Sequence, residues 1–220
     1  MYRPYLCCLL LLLAVLAGNA QSKTRRELRA DTGKLYLRFS PLGVIDPFDG
    51  NVTFGAEYRF NDTWAATLDA GAILYSGYVP HSKRSTGFLV RPGIRLYPTT
   101  WKDFTIDLQF HYKNVTYNIR DWVEKDVVAD VAAYEEYKLF QFKKEVIGGN
   151  IMVGFRDYFS RNRRFYIEWY MGLGIHFKNE GVRNEPNSRY ERGVRMINDD
   201  DGKYVVPALP VGVHLIYLLR

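Results

Sequence analysis

"FYIEWYMGLGIHFKN", residues 165–179, separates into two sets when every second residue is taken. Phe165, Ile167, Trp169, Met171, Leu173, Ile175 and Phe177 form one set. Tyr166, Glu168, Tyr170, Gly172, Gly174, His176 and Lys178 form the other. Side chains alternate across a strand, so this period of two predicts a long β-strand. One of its faces is wholly apolar; the other carries charges, rings and glycines.

The pattern recurs along the chain. Val52, Phe54, Ala56, Tyr58 and Phe60 oppose Thr53, Gly55, Glu57 and Arg59. Trp64, Ala66, Leu68, Ala70 and Ala72 oppose Thr67, Asp69 and Gly71. Phe88, Val90, Ile94 and Leu96 oppose Arg91, Gly93 and Arg95. Phe104, Ile106, Leu108, Phe110 and Tyr112 oppose Asp107, Gln109, His111 and Lys113. Strand-like segments are read at 34–41, 51–60, 63–76, 86–98, 103–118, 138–158, 163–178 and 203–219. Their connections alternate between short (61–62, 99–102, 159–162) and long, which predicts an up-and-down meander with turns at one end and loops at the other. Within the long stretch near 119–137, Val123, Val127 and Val131 at i, i+4 spacing are compatible with a short helix over 121–136.

The N-terminus reads as a targeting segment. Arg3, an apolar run from Leu6 to Leu16 and the small-residue site Gly18-Asn19-Ala20 predict a signal peptide over 1–20. The run falls short of the ~20 residues that span a bilayer as a helix. Residues 21–33, "QSKTRRELRADTG", are expected to be a mobile polar leader, and 34–220 the folded domain. Cys7 and Cys8 both lie in the signal segment, which predicts no disulfide, thiol nucleophile or Cys-bound metal in the exported chain. The formal charge is +6, or +5 once Arg3 leaves with the signal. Its basic residues are interspersed with acids, so no nucleic-acid partner is expected. Beyond the signal no apolar stretch approaches 18 residues, so a membrane can be crossed only by a closed barrel.

Alternation suits either a lipocalin-like barrel, apolar inside, or an outer-membrane barrel, apolar outside. Three features favour the second. Glycines 55, 71, 93, 172 and 174 sit on the polar face, where a narrow lumen has use for them and a wet exterior has none. The polar-face charges are few and of both signs (Glu57, Arg59, Asp69, Arg91, Arg95, Asp107, Arg156, Glu168), with Arg preferred. Together with His111 and His176 they are expected to form a structural network inside the lumen. Rings gather at the strand ends: Phe60, Trp64, Tyr97, Trp101, Phe104, Tyr158, Phe159 and Phe165 beside the short turns, and Tyr75, Tyr78, Tyr112 and Phe177 at the other end. Two such girdles are what two membrane interfaces favour.

The runs "VIGGNIMVGFRDYF" and "YIEWYMGLGIHFKN" resemble the small outer-membrane β-barrel proteins of Bacteroidota-type bacteria. That group is loosely similar to the eight-stranded barrels of the outer-membrane protein A and W types. The resemblance covers about residues 34–220. It implies an all-β, eight-stranded, antiparallel up-and-down transmembrane barrel, with short periplasmic turns, long extracellular loops and a bacterial outer-membrane location after export. It also implies a final-strand signal for the barrel-assembly machinery, matched here by Gly212, Leu215 and Tyr217, although the chain ends Leu218-Leu219-Arg220 rather than on an aromatic. Pro92, Pro207 and Pro210 fit a closed barrel poorly, and local bulges are expected at them.

No catalytic or metal site is predicted. His81-Ser82 lacks an orienting third group in sequence. His111 and His176 lack a third ligand, and "NDDDG" fails the EF-hand spacing. "MGLG" lacks the third glycine of a nucleotide loop, and no cofactor is expected. The expected function is therefore a non-enzymatic barrel that anchors itself in outer-membrane lipid and displays its loops to an unidentified extracellular ligand. The alternatives are a channel for small solutes or hydrophobic compounds, a lipid-modifying enzyme and a soluble periplasmic lipocalin-like binder.

Overall fold

The computed structural model describes residues 33–46, 48–79, 81–101, 103–129, 131–159, 164–185, 187–190 and 202–219. The signal peptide and nearly all of the leader lie outside these residues, as does most of the loop containing "NDDDG". The described residues are all-β, with nine strands: β1 (Leu35–Ser40), β2 (Gly50–Arg59), β3 (Trp64–Tyr75), β4 (Ser82–Leu96), β5 (Phe104–Lys125), β6 (Tyr134–Tyr158), β7 (Phe165–Val182), β8 (Lys203–Ala208) and β9 (Val211–Leu218). A 3-10 turn, Pro41–Ile45, follows β1. Each strand pairs antiparallel with its sequence neighbour from β1 to β7. β9 then pairs with both β7 and β1, and the sheet closes into a ring.

β8 and β9 lie end to end along the same neighbour. β9 takes β7 from Phe165 to Met171 and β8 takes it from Gly174 to Asn179. The single segment expected at 203–219 is thus broken at Leu209-Pro210. This break, rather than a bulge, accommodates two of the prolines. Pro210 stands between the strands, and Pro207 lies on β8, which pairs only with β7 among the described residues. Pro92 needs no bulge either. Val90↔Tyr112 and Gly93↔Gln109 keep one register on either side of it, and the ladder to β5 simply lapses in between. The register shifts lie elsewhere, at Gly50/Asn51 and at Ser82/Arg84.

The helix expected within 121–136 is absent. β5 and β6 continue as one hairpin from Phe104↔Phe155 to Lys125↔Tyr134. A spacing of four is a multiple of two as well as close to a helical turn, so the valine pattern fits both structures. The continuous ladder favours the strand, and Val128↔Val131 closes the tip. The β3–β4 connection, 76–81, is also shorter than expected, because β4 starts at Ser82. It is no longer than the turn-end connection 97–103. The two ends of the ring differ by the tall β5–β6 hairpin more than by loop length.

The alternating faces are assigned by burial. Phe54, Leu68, Ile94, Leu108, Ile151 and Leu173 are exposed, while Glu57, Asp69, Arg95, Asp107, Met152 and Glu168 are buried within the ring. Polar-face glycines make room for the adjacent strand rather than for side chains from across the lumen. A Cβ at Gly55 would collide with the Asp69 carboxylate one strand away. Above the charged interior, Val115, Tyr117, Ile119, Val123, Phe140 and Phe142 line the inner face of the tall hairpin. Val79 and Tyr190 from the loops pack into the same apolar cluster.

Candidate functional site

The ring places its ionisable side chains in layers. At the turn end, Tyr97 is buried, donates its hydroxyl to Glu57 and lies under Arg59 and Arg156, 3.7 and 4.6 Å from the ring centroid. Tyr158 packs on the buried Tyr166 at 5.1 Å. Both Tyr97 and Tyr158 were expected in the lower girdle; they sit beside a turn but on the inward phase of their strands. Tyr78 is likewise no girdle residue, since its hydroxyl reaches Glu180 inside the loop end at 3.0 Å. Phe60, Trp64, Trp101, Phe159, Tyr75 and Phe177 are exposed on the outside, and Phe104, Phe165 and Tyr112 are half-buried there.

The middle layer is built around Arg95 on β4, which is fully buried. Its Nε and Nη2 donate to Asp107 at 2.7 Å each. Nη1 and Nη2 donate to Glu168 at 2.7 Å each, and Nη1 also donates to Glu57 at 2.9 Å. The five donors of the guanidinium fork are thereby all used on three carboxylates from β2, β5 and β7. The excess negative charge is met by Arg59, 3.4 Å from Glu57, and by Arg38, which packs with His214; the network expected from sequence did not include Arg38 or His214. Arg38 Nη2 lies against the edge of the His214 ring, 3.1 Å from Nδ1 and 3.3 Å from Nε2, and Arg38 Nε lies 3.5 Å from Asp69. His214 Nδ1 stands 3.2 Å from Glu168. Arg156 pairs with Glu168 in the β6–β7 ladder, and its guanidinium is buried among Tyr97, Tyr158 and Tyr166. Alternation in "LYLRFS" and "VGVHLIYL" was the available signal for Arg38 and His214, because both share the phase of buried neighbours.

No family model matches the sequence, and neither curated proteins nor solved structures contain a significant match. The chemistry is therefore read from the residues alone.

Further towards the loop end, Arg91 Nε donates to His111 Nδ1 at 3.2 Å. His111 stacks on His176 at 4.6 Å, and His176 Nε2 meets Asn150 Oδ1 at 3.0 Å. Among the described residues no group of three or more His, Cys, Asp and Glu side chains gathers as metal ligands. Gly212 lies under the Tyr170 ring, where a Cβ would collide, and Tyr170 stacks on His214 at 4.4 Å. Gly212 thus has a local packing reason. Leu215 is half-buried and Tyr217 exposed on the same strand.

The uppermost polar cluster had no sequence signal. Asp49, in the β1–β2 connection, reaches inward. Its Oδ2 accepts from Lys113 and Lys144 at 2.6 Å each, and its Oδ1 accepts from Tyr117 at 3.0 Å and Ser76 at 2.9 Å. Burial pushes the Asp49 carboxyl up, but the two ammonium groups outweigh it and bring it down to about 2 from 3.8. A depressed carboxyl stabilises the fold above its unfolded value and loses that contribution as pH falls through the folded one. About 2 kcal/mol is expected to be lost between pH 4 and 2. Urea unfolding in neutral detergent across that range should show the loss. Asp49→Asn should be less stable at pH 6 and lose about 2 kcal/mol less than the parent across the window; a variant with the wild-type slope would exclude Asp49 as the source of that share.

At the rim, His81 Nδ1 meets Asp121 Oδ2 at 2.9 Å, so an orienting carboxylate does exist. Ser82 Oγ, however, bonds Ser85 Oγ at 3.1 Å. The hydroxyl-to-base link that a triad needs is not made.

Proposed function

We propose that the chain is an integral outer-membrane β-barrel without enzymatic activity. Its own side chains fill the lumen, and it anchors a raised β5–β6 hairpin at the cell surface. The observation that carries this reading is the inversion of the faces. The charged Arg95 cluster is sealed inside, while an unbroken apolar surface faces out. Monomeric soluble proteins rarely expose so large an apolar patch. Its outward stretches on β5 (Phe104–Tyr112) and β6 (Ile147–Phe155) match the ~9–11 residues of a membrane-crossing strand. Ladder pairs place Tyr112 beside Ile147 and Ile147 beside Phe177 at the upper edge, and Phe155 beside both Phe104 and Trp169 at the lower. Counted as one stave, β8 and β9 make the eight of the smallest such barrels. Export through the signal peptide, contact with outer-membrane lipid and delivery by the barrel-assembly machinery, using Gly212, Leu215 and Tyr217, belong to the same reading.

The hairpin suits display because its inner face is packed, so it projects as a stiff element. Its outer face carries Trp122 and Tyr137 in contact at 5.4 Å, both exposed. The test is labelling of intact cells with an impermeant thiol reagent. Cysteines at Val128 and Asn187 should label. One at Asp62 should label only after lysis; Asp62 is chosen because the Asn61 side chain holds its turn through the Thr63 and Trp64 amides. Labelling of Asp62 alone would invert the topology, and recovery of unlabelled protein in the soluble periplasm would end the membrane reading.

A further inference from the structure

A cavity of about 410 Å³ remains inside the ring, within the size range of small-molecule sites. On β5 its lining residues Gln109 and His111 follow Asp107 of the Arg95 cluster and precede Lys113 of the Asp49 cluster. On the wall side it meets a place where the ladder is incomplete. There β1 ends at Ser40, the chain turns away through 41–45, and the edge of β8 has no partner among the described residues. Leu209 and Val211, on either side of Pro210, line the cavity and are also 74 % and 68 % exposed. The cavity therefore ends at side chains that stand in the outer surface.

Its polar groups are incompletely matched. Among the described residues no carboxylate lies within ion-pairing distance of Arg91, whereas Arg38, Arg59 and Arg95 each have one. By donating to His111 Nδ1, Arg91 leaves the imidazole proton on Nε2. That buried Nε2 has no partner. A buried N–H without an acceptor is expensive, and a site made to bind an acceptor resolves it. The carboxylate among the lining residues, Asp46, caps the 3-10 turn at its C-terminal end and accepts from the Phe48 amide at 2.9 Å. The rest of the lining mixes polar Ser40, Asn51 and Asn150 with apolar Leu42, Met152 and Val213.

We infer that this cavity binds a single-tailed carboxylate amphiphile. The headgroup accepts from Arg91 and from His111 Nε2, and the hydrocarbon tail leaves through the β8–β9 break past Leu209 and Val211. One guanidinium and one neutral N–H suit a monoanion, and the apolar side chains at the break, Leu42, Leu209 and Val211, suit a hydrocarbon tail. The inference goes beyond the membrane reading, because the cavity, its cation and the break belong to the ring whatever surrounds it.

The test uses the full chain folded in neutral detergent, with dodecanoate as probe and native mass spectrometry as readout. One dodecanoate per chain should be retained, while dodecanol, acetate and inorganic phosphate at the same concentration should not. Arg91→Gln should weaken retention by about tenfold or more. Leu209→Trp, which blocks the break without touching the headgroup contacts, should weaken it too. Should Arg91→Gln fail to fold, His111→Phe keeps a ring against His176, removes the Nε2 donor and carries the same expectation. Equal retention of dodecanol, or an Arg91→Gln chain that binds as the parent does, overturns the anion site. Acetate or phosphate held as well as dodecanoate overturns the place of the tail.

Discussion

Replacement of Arg95 by methionine is expected to destabilise the folded ring by about 3–5 kcal/mol, the largest effect of any single interior substitution. The side chain satisfies Glu57, Asp107 and Glu168 together, so its loss takes the shared cation from three buried carboxylates on three strands, of which Glu57 alone keeps Arg59. Removing one member of a buried ionic cluster is far more damaging than replacing the cluster as a whole. Adding Asp107→Asn and Glu168→Gln to Arg95→Met should therefore restore part of the loss by removing two of the stranded charges. Urea midpoints in neutral detergent read both effects. An Arg95→Met chain that unfolds where the parent does would mean a water-filled interior in which each carboxylate is solvated separately.

Leu173→Arg is expected to cost about 2–4 kcal/mol when the chain is folded into bilayers, the penalty for a cation on the lipid face near the midplane. Leu173 is 68 % exposed at mid-strand on β7, between Met171 and Ile175 of the same face. The comparison that isolates lipid is Glu168→Gln, on the opposite face of the same strand. That substitution leaves Arg95 short of one carboxylate charge, and its effect should be similar in detergent and in bilayers. Leu173→Arg should be mild in short-chain detergent, where the micelle adapts, and severe in bilayers. Parallel behaviour of the two variants in both media would separate the apolar face from lipid.

Much of this organisation was legible from period two alone. Glu57, Asp69, Arg95, Asp107 and Glu168 share one phase, and the ladder brings that phase to the ring interior. What phase could not do was choose partners. By phase alone Arg91, Arg95 and Arg156 are equal candidates for Glu168; Arg156 stands opposite it in the β6–β7 ladder, yet it is Arg95 that reaches it, across the lumen from β4. Tyr97 and Tyr158 were misplaced because nearness to a turn was weighed above phase. The valines of 119–137 were ambiguous because their spacing satisfies a helix and a strand equally. Asp49 was invisible, since it lies in a connection with no periodicity and acts through residues distant in sequence, Lys113 and Lys144. The break at Leu209-Pro210 was foreshadowed by two prolines three residues apart. Within a single strand they imply strain; in the ring they mark where one strand gives way to the next.

The outward apolar face in contact with hydrocarbon is the claim on which the rest depends. It is tested most directly by a bimane label on a cysteine at Leu173, in the chain from Gln21 onward, folded into bilayers whose acyl chains are brominated at mid-length. A second label at Gly181, on the same outward phase beyond the apolar stretch, provides the comparison. Strong quenching at 173 by the brominated lipid, with weak quenching at 181, is the predicted result. Weak lipid quenching at both positions, with 173 open to aqueous iodide, would contradict it and place the apolar face in water.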